Sequence, residues 1–245
     1  AASRALAAGG TGTAYVNLLD VLDRAANAEA RQAVAQAMST MEVEDGTESL
    51  LLASLQLTSD PQVVAVTQQV LANSLDEESL EALLERYGQT QVDEERAHLL
   101  ETVRLVRDPE AAELLVSALG DGTVDCSDPL VLAMVDTLGV IGTEPAARKL
   151  VDLLESDLDE SSELAVAHAL ARTVNPVCTD YLLEVAENEN GEYGLTSRAA
   201  AVSALQHHPV GVVEDALVQL VNREENEDLK ALVEHSLLRA SDEVP

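Results

Sequence analysis

Three acidic stretches carry the residue types nearest to chemistry in this chain: 121–128 (DGTVDCSD), 157–163 (DLDESSE) and 187–194 (ENENGEYG). Oxygen ligands at alternate positions are what a calcium loop supplies. The second stretch has that alternation. It places Ser162 where such a loop needs its sixth-position Gly, and His168 where it needs its twelfth-position Glu. With two required positions missing, the pattern reads as a solvated turn feeding the acidic first turn of a helix. Carboxylates there stabilise the positive helix end.

The histidines are His98, His168, His207, His208 and His235. None forms an HExxH, and no cysteine pair has zinc spacing. His207-His208 precedes Pro209 at an expected helix end, where the helix dipole favours a cation. The phosphate-cradling GxxxxGK[ST], the GxSxG elbow and a GxGxxG after a strand are all missing. Carboxylates are so abundant that no pair of them is informative. The expectation is a non-enzymatic protein with no metal and no cofactor. Tyr181 and Tyr193 could flank one edge of a groove, although a helical Tyr is more often half core with its hydroxyl in water.

Cys126 and Cys178 are the only cysteines. Two-helix packing places them at opposite ends of helices about 20 Å long, too far for a disulfide that needs Cα atoms ~4.4–6.8 Å apart. Two free thiols are expected, which leans towards a reducing, cytoplasmic compartment.

The chain of 245 residues has 45 acidic and 14 basic side chains, for a net charge of −31. That charge repels nucleic-acid phosphates and anionic membranes, and it steers basic partners inwards. It also keeps a surface soluble without any partner. Lys149 and Lys230 are the only lysines. Acid excess with scarce Lys resembles bacterial proteins adapted to salt, where ions screen the self-repulsion. Aromatic residues make up 2 %, with no Trp and no Phe, while apolar residues make up 47 %. The core must therefore be Leu, Val, Ala and Ile, which suits closely packed helices. No run of about 18 apolar residues occurs to span a membrane.

The elements that must position these residues are helices. Leu99, Leu100, Val103, Leu105 and Val106 share one helical face, as do Leu150, Leu153 and Leu154, and Leu182, Leu183 and Val185. Prolines at 61, 109, 145, 176 and 209 each mark an expected first helical position, where the fixed φ fits and the missing N–H is not needed. Asp60, Asp108 and Asn175 cap the helices behind them. The spacing predicts helices over 12–25, 28–39, 46–58, 61–74, 77–87, 92–107, 109–119, 128–141, 145–156, 160–174, 176–189, 195–207, 209–222 and 226–240. Proline-to-proline steps of about 31–36 residues, from 109 to 209, lie in the range of helical arrays. The longer step from 61 to 109 leaves room for an extra helix at 77–87.

Within 129–156, Leu138-Gly139, Ile141-Gly142, Ala146, Leu150 and Leu153-Leu154 follow the repeat pattern ALG-x-IG-x-x-x-A-x-x-x-L-x-x-LL, with Thr137 in place of the first Ala. This segment resembles HEAT repeats, and its short period is similar to the bilin-lyase-type branch. Weaker copies extend over 92–221. The resemblance implies an all-α fold, an α-solenoid of stacked antiparallel helix pairs, with first helices on the convex side and second helices on the concave side. It also implies a function in binding other proteins. The expected organisation is one domain over 1–245: irregular repeats at 1–91, regular repeats at 92–222 and a capping helix at 226–240. HEAT-like hydroxylases hold iron through His-Glu dipeptides, and this chain has only Glu234-His235 in reverse order.

Three functions follow as expectations. The first is a protein-binding scaffold whose acidic concave face, with Glu110, Glu113, Asp152, Glu155, Glu184, Glu187 and Glu214, takes a basic partner segment. The second is a regulatory or assembly module of a larger enzyme or secretion component, since Ala1–Ala8 reads like the end of a helix already under way. The third, from the bilin-lyase resemblance alone, is a lyase or isomerase.

Overall fold

The structure, a computed structural model, describes residues 12–25, 28–38, 48–57, 60–73, 76–120 and 124–242. The start of the chain, the turn expected near Gly46 and positions 121–123 of the first acidic stretch lie outside them. The described residues form fourteen α-helices and no strand. They divide into two compact units, Ala1–Val106 and Arg107–Pro245.

Unit 1 holds α1 (Gly12–Asp23), α2 (Ala28–Met38), α3 (Glu48–Leu57), α4 (Pro61–Asn73), α5 (Glu77–Gln89) and α6 (Asp93–Leu105). Helices α2, α4 and α6 pack in succession, while α3 packs on α4, α5 and α6. The core is Leu18, Leu22, Leu51, Leu55, Leu71, Leu83 and Leu99, together with Tyr15, whose hydroxyl meets that of Thr67. Each fully buried Leu contributes about 1.5–3 kcal/mol. Asp60 caps α4 by accepting from the Gln62 and Val63 amides, and Arg31 also holds its carboxylate. The extra helix in the long proline interval is α5. It is capped by Asp76, which accepts from the Ser79 amide at 2.8 Å.

Unit 2 holds α7 (Ala111–Leu119), α8 (Pro129–Ile141), α9 (Glu144–Leu154), α10 (Glu160–Ala171), α11 (Thr179–Glu187), α12 (Leu195–Leu205), α13 (Val210–Arg223) and α14 (Glu227–Asp242). Within it α8, α10, α12 and α14 pack one on the next, and α7, α9, α11 and α13 do the same. Two helical layers result, with Leu115, Leu138, Leu150, Leu170, Leu182, Leu205 and Leu217 buried among their helices. Among the described glycines, the tightest site is Gly139 of α8. A Cβ there would stand 2.2 Å from the Ala169 carbonyl oxygen of α10, so no other residue lets these backbones meet.

Four prolines act differently from expectation. Pro145 is the second residue of α9, which begins at Glu144. Pro109 lies in a turn before α7, where Asp108 accepts from the Glu110 amide, and the helix begins at Ala111. Pro176 opens a single 3-10 turn, Pro176–Cys178, so α11 begins only at Thr179. Pro209 is the N-cap of α13, not its first residue. A missing N–H suits any of these early positions, so proline marks the neighbourhood of a start more surely than the start itself.

The connections of unit 2 are of two kinds, at opposite ends of the helices. Acidic turns lead from α7 to α8, α9 to α10, α11 to α12 and α13 to α14. Proline turns lead from α8 to α9, α10 to α11 and α12 to α13. Polar side chains hook neighbouring acidic turns together: the Ser162 hydroxyl accepts from the Cys126 amide, Thr196 donates to Glu163, and Arg198 pairs with Glu224. At the other end, Asn175 reaches the Ile141 carbonyl, and His208 bonds the Thr173 carbonyl.

Candidate functional site

The α11-to-α12 acidic turn is built around Asn188. This residue ends α11 in the left-handed region, at φ 49° and ψ 44°, which Asn tolerates better than most side chains. Its amide nitrogen donates to the Tyr193 carbonyl and its amide oxygen accepts from the Tyr193 N–H, both at 2.9 Å. Gly191, at φ 71°, closes the turn by donating to the Asn188 carbonyl. One side chain thus pins both backbone faces of Tyr193 and stations its ring beside α11.

A cleft of about 310 Å³ opens there, lined by Asp180, Leu183, Glu184, Glu187, Asn188, Glu189, Asn190 and Tyr193. Four of the eight lining residues are carboxylates and none is basic. The Tyr193 hydroxyl lies 3.4 Å from Glu184 and also meets Tyr181. Burial, and then the neighbouring carboxylate of Glu184, pushes the Tyr193 phenol above its ordinary range. Behind it, Tyr181 is 5 % exposed and carries the Arg148 guanidinium over its ring at 4.2 Å. Arg148 is also held by Glu144, which raises its already high pKa. From α13, Arg223 spans Glu187 at 2.9 Å and Glu189 at 3.1 Å. The cleft's carboxylates thus hold one guanidinium, that of Arg223, and the Tyr181 ring behind the cleft holds another, that of Arg148.

The expected partner-binding residues are distributed unevenly. Glu184 and Glu187 stand together in the cleft, Glu187 with Arg223 already on it. Asp152 lies on α9, exposed, and acts on Tyr181 through space. Glu155 is committed to the fold instead of standing open. It accepts from the Gly194 amide at 2.9 Å and from the Ser197 hydroxyl, capping α12 from a neighbouring turn. Glu110 and Glu113 are exposed on and before α7, and Glu214 is exposed on α13. Asp180, Leu183, Asn188, Glu189 and Asn190 also line the cleft and lie outside the expected set. The 187–194 stretch and Tyr193 are both visible in the sequence. Only the turn of Asn188 brings them back against α11.

Both thiols are free and buried. Cys126 lies in an acidic turn beside Ser162, and Cys178 lies in a proline turn. Burial pushes the Cys178 thiol up to about 11, so it carries no nucleophilic thiolate at neutral pH. Among the described residues, no group of three His, Cys, Asp or Glu side chains is arranged to hold a metal ion. Among them, too, no helix is long and apolar enough to cross a membrane.

Comparison with protein-family models gives no match, and comparison with curated proteins gives no similar one.

Proposed function

We propose that this chain is a non-enzymatic interaction scaffold of the α-solenoid type, and that unit 2 binds an arginine-bearing segment of a basic protein partner. The observation that carries the reading is the α11 cleft. Its carboxylates converge with a tyrosine whose position Asn188 sets, and the chain's own Arg223 and Arg148 already sit on its wall and behind it. A preset pocket rich in acceptors suits a guanidinium, which brings only donors and a flat face. Asp152 and Glu214, on the neighbouring helices of the same layer, extend the acidic field on either side. The alternation of helix packing within each unit supports the repeat reading, since stacked pairs bury their apolar stripes on one another.

The test separates a site from general charge. Binding of a labelled arginine-containing peptide is measured at 0.15 M salt by fluorescence anisotropy. Neutralising the cleft with Asp180→Asn, Glu184→Gln and Glu189→Gln is expected to weaken binding at least about tenfold, because close charge pairs each contribute about 1 kcal/mol or more when partly desolvated. Neutralising three carboxylates of other acidic turns, Asp125→Asn, Asp128→Asn and Asp157→Asn, is expected to weaken it less than about threefold, since exposed charges are screened. Equal losses in the two variants would sink the reading.

A further inference from the structure

Resting on the reading of the α11 cleft as an arginine site, we propose that Arg223 is the built-in inhibitor of that site, a tethered guanidinium that a partner's arginine must displace. Arg223 ends α13 and reaches across to the end of α11. One of its terminal nitrogens lies 2.9 Å from Glu187 and the other 3.1 Å from Glu189. Both carboxylates line the cleft. Two N–H groups of one guanidinium, each on a carboxylate, are the contact that an arriving arginine would make. A second guanidinium there would set two positive charges side by side, so it binds fully only once the first has left.

The other half of the cleft is open. Among the described residues, no ion pair engages Asp180 or Glu184. The cleft therefore presents one covered pair of carboxylates, Glu187 and Glu189, and one uncovered pair, Asp180 and Glu184. A basic segment meets the uncovered pair first, and it gains the covered pair only by moving Arg223 aside.

The base of Arg223 is firm and its tip is loose. The next residue, Glu224, is the C-cap of α13, and its carboxylate meets Arg198 in a largely buried pair. Arg198 in turn donates to the Ala186 carbonyl of α11 at 3.1 Å, which fixes the end of α13 beside α11. The Arg223 side chain itself is 43 % exposed and Glu189 is 70 % exposed. Exposed pairs of this kind are weak and open readily. Arg223 is thus always at hand, because it is tethered, and never tightly held, because water competes for it. A closed-to-open ratio between about one and four, as such pairs give, lowers a partner's affinity about two- to fivefold.

Anisotropy of the labelled arginine-containing peptide on the full chain tests this. Arg223→Gln is expected to bind it about two- to fivefold more tightly than the native chain. Arg172→Gln makes the same change in net charge at a proline turn, and is expected to tighten binding less than about 1.5-fold, since distant exposed charges are screened. In a chain that carries Glu187→Gln and Glu189→Gln, Arg223→Gln is expected to add nothing, because the carboxylates that it covers are gone. In 15N spectra of the native chain, the Arg223 Nε–H signal is expected to shift as the peptide saturates, while that of Arg198 holds still. Unchanged or weaker binding by Arg223→Gln, an equal gain in Arg172→Gln, a gain that survives in the doubly neutralised chain, or an Arg223 signal indifferent to saturating peptide overturns the inhibitor and leaves the arginine cleft standing. Equal losses on neutralising the cleft and the other acidic turns remove the cleft itself, and the inhibitor with it.

Discussion

The two ends of the unit 2 helices solve the same problem by different chemistry. At the acidic turns, neighbouring connections are tied largely through carboxylates: Glu155 to Gly194 and Ser197, Thr196 to Glu163, Arg198 to Glu224, Arg223 to Glu187 and Glu189. At the proline turns they are tied by buried groups and close backbones: His208 on Thr173, Asn175 on the Ile141 carbonyl, and Gly139 against Ala169. The charge follows the division. Asp125, Asp128, Glu155, Asp157, Asp159, Glu160, Glu189, Glu192, Glu225, Glu227 and Asp228 are exposed in or beside the acidic turns. The exposed side chains of the α10-to-α11 and α12-to-α13 proline turns are Arg172, Val174, Pro176, Val177, His207 and Pro209. A net charge of −31 is thus not spread evenly. One end of unit 2 is available for electrostatic recognition, and the other is reserved for packing.

If that division is right, the largest effect belongs to the packed end. Gly139→Ala forces α8 and α10 apart and is expected to destabilise unit 2 by about 3 kcal/mol in urea unfolding. Gly211→Ala, at a site with open space around it, changes stability by less than about 1 kcal/mol and serves as its control. Comparable losses at the two glycines would erase the contrast.

The next effects belong to the acidic turns and are expected to be smaller. Asn188→Ala removes two hydrogen bonds and leaves alanine in the left-handed region, a loss of about 2 kcal/mol. Asn188→Gly restores the backbone freedom but not the bonds, and loses about 1 kcal/mol. Both should release Tyr193, seen as a fall of its raised phenol titration towards the ordinary 10.0. Glu155→Gln weakens the cap on α12 by about 1 kcal/mol. A loss at Glu155 exceeding that at Gly139 would reverse the assignment of the two ends.

Conditions give the mildest tests. Salt screens the carboxylate row, so the melting temperature should rise by a few degrees between roughly 0.02 and 0.5 M NaCl, where the Debye length shortens severalfold. No rise would count against both the crowding of charge and the salt-adapted reading of the composition. Acid acts at the other end. The folded-state pKa of His208 is lowered, so its contribution is complete above the unfolded value of 6.5 and is lost as pH falls through 6.5 towards the folded value. Unfolding followed in His208→Gln should lack that part of the pH dependence.

Much of this is legible in the residues. Asp60 caps α4 as its chemistry requires, whereas Asp108 holds only the turn ahead of α7 and Asn175 caps the 3-10 turn ahead of α11. The helix expected at 77–87 exists, extended to Gln89. The 3-10 turn at Pro176 is not legible, because a proline with an Asn cap reads the same before either kind of helix. Glu155 passes for an open binding group for a related reason. Its helical phase exposes it, but the amide that it caps lies 39 residues away. Asp180 and Glu189 do not stand out, because carboxylates are too common in this chain for spacing to single out any pair.

Helices, their caps and the total charge are local properties, set by neighbours within a turn or two and by plain composition, so the order of residues determined them. Which carboxylates converge, which one is committed to a cap and which histidine is sealed from water depend on contacts between residues about 30 to 40 positions apart. Only the stacking of helix on helix decides those, because burial and distance, not residue type, set what a charged group can do.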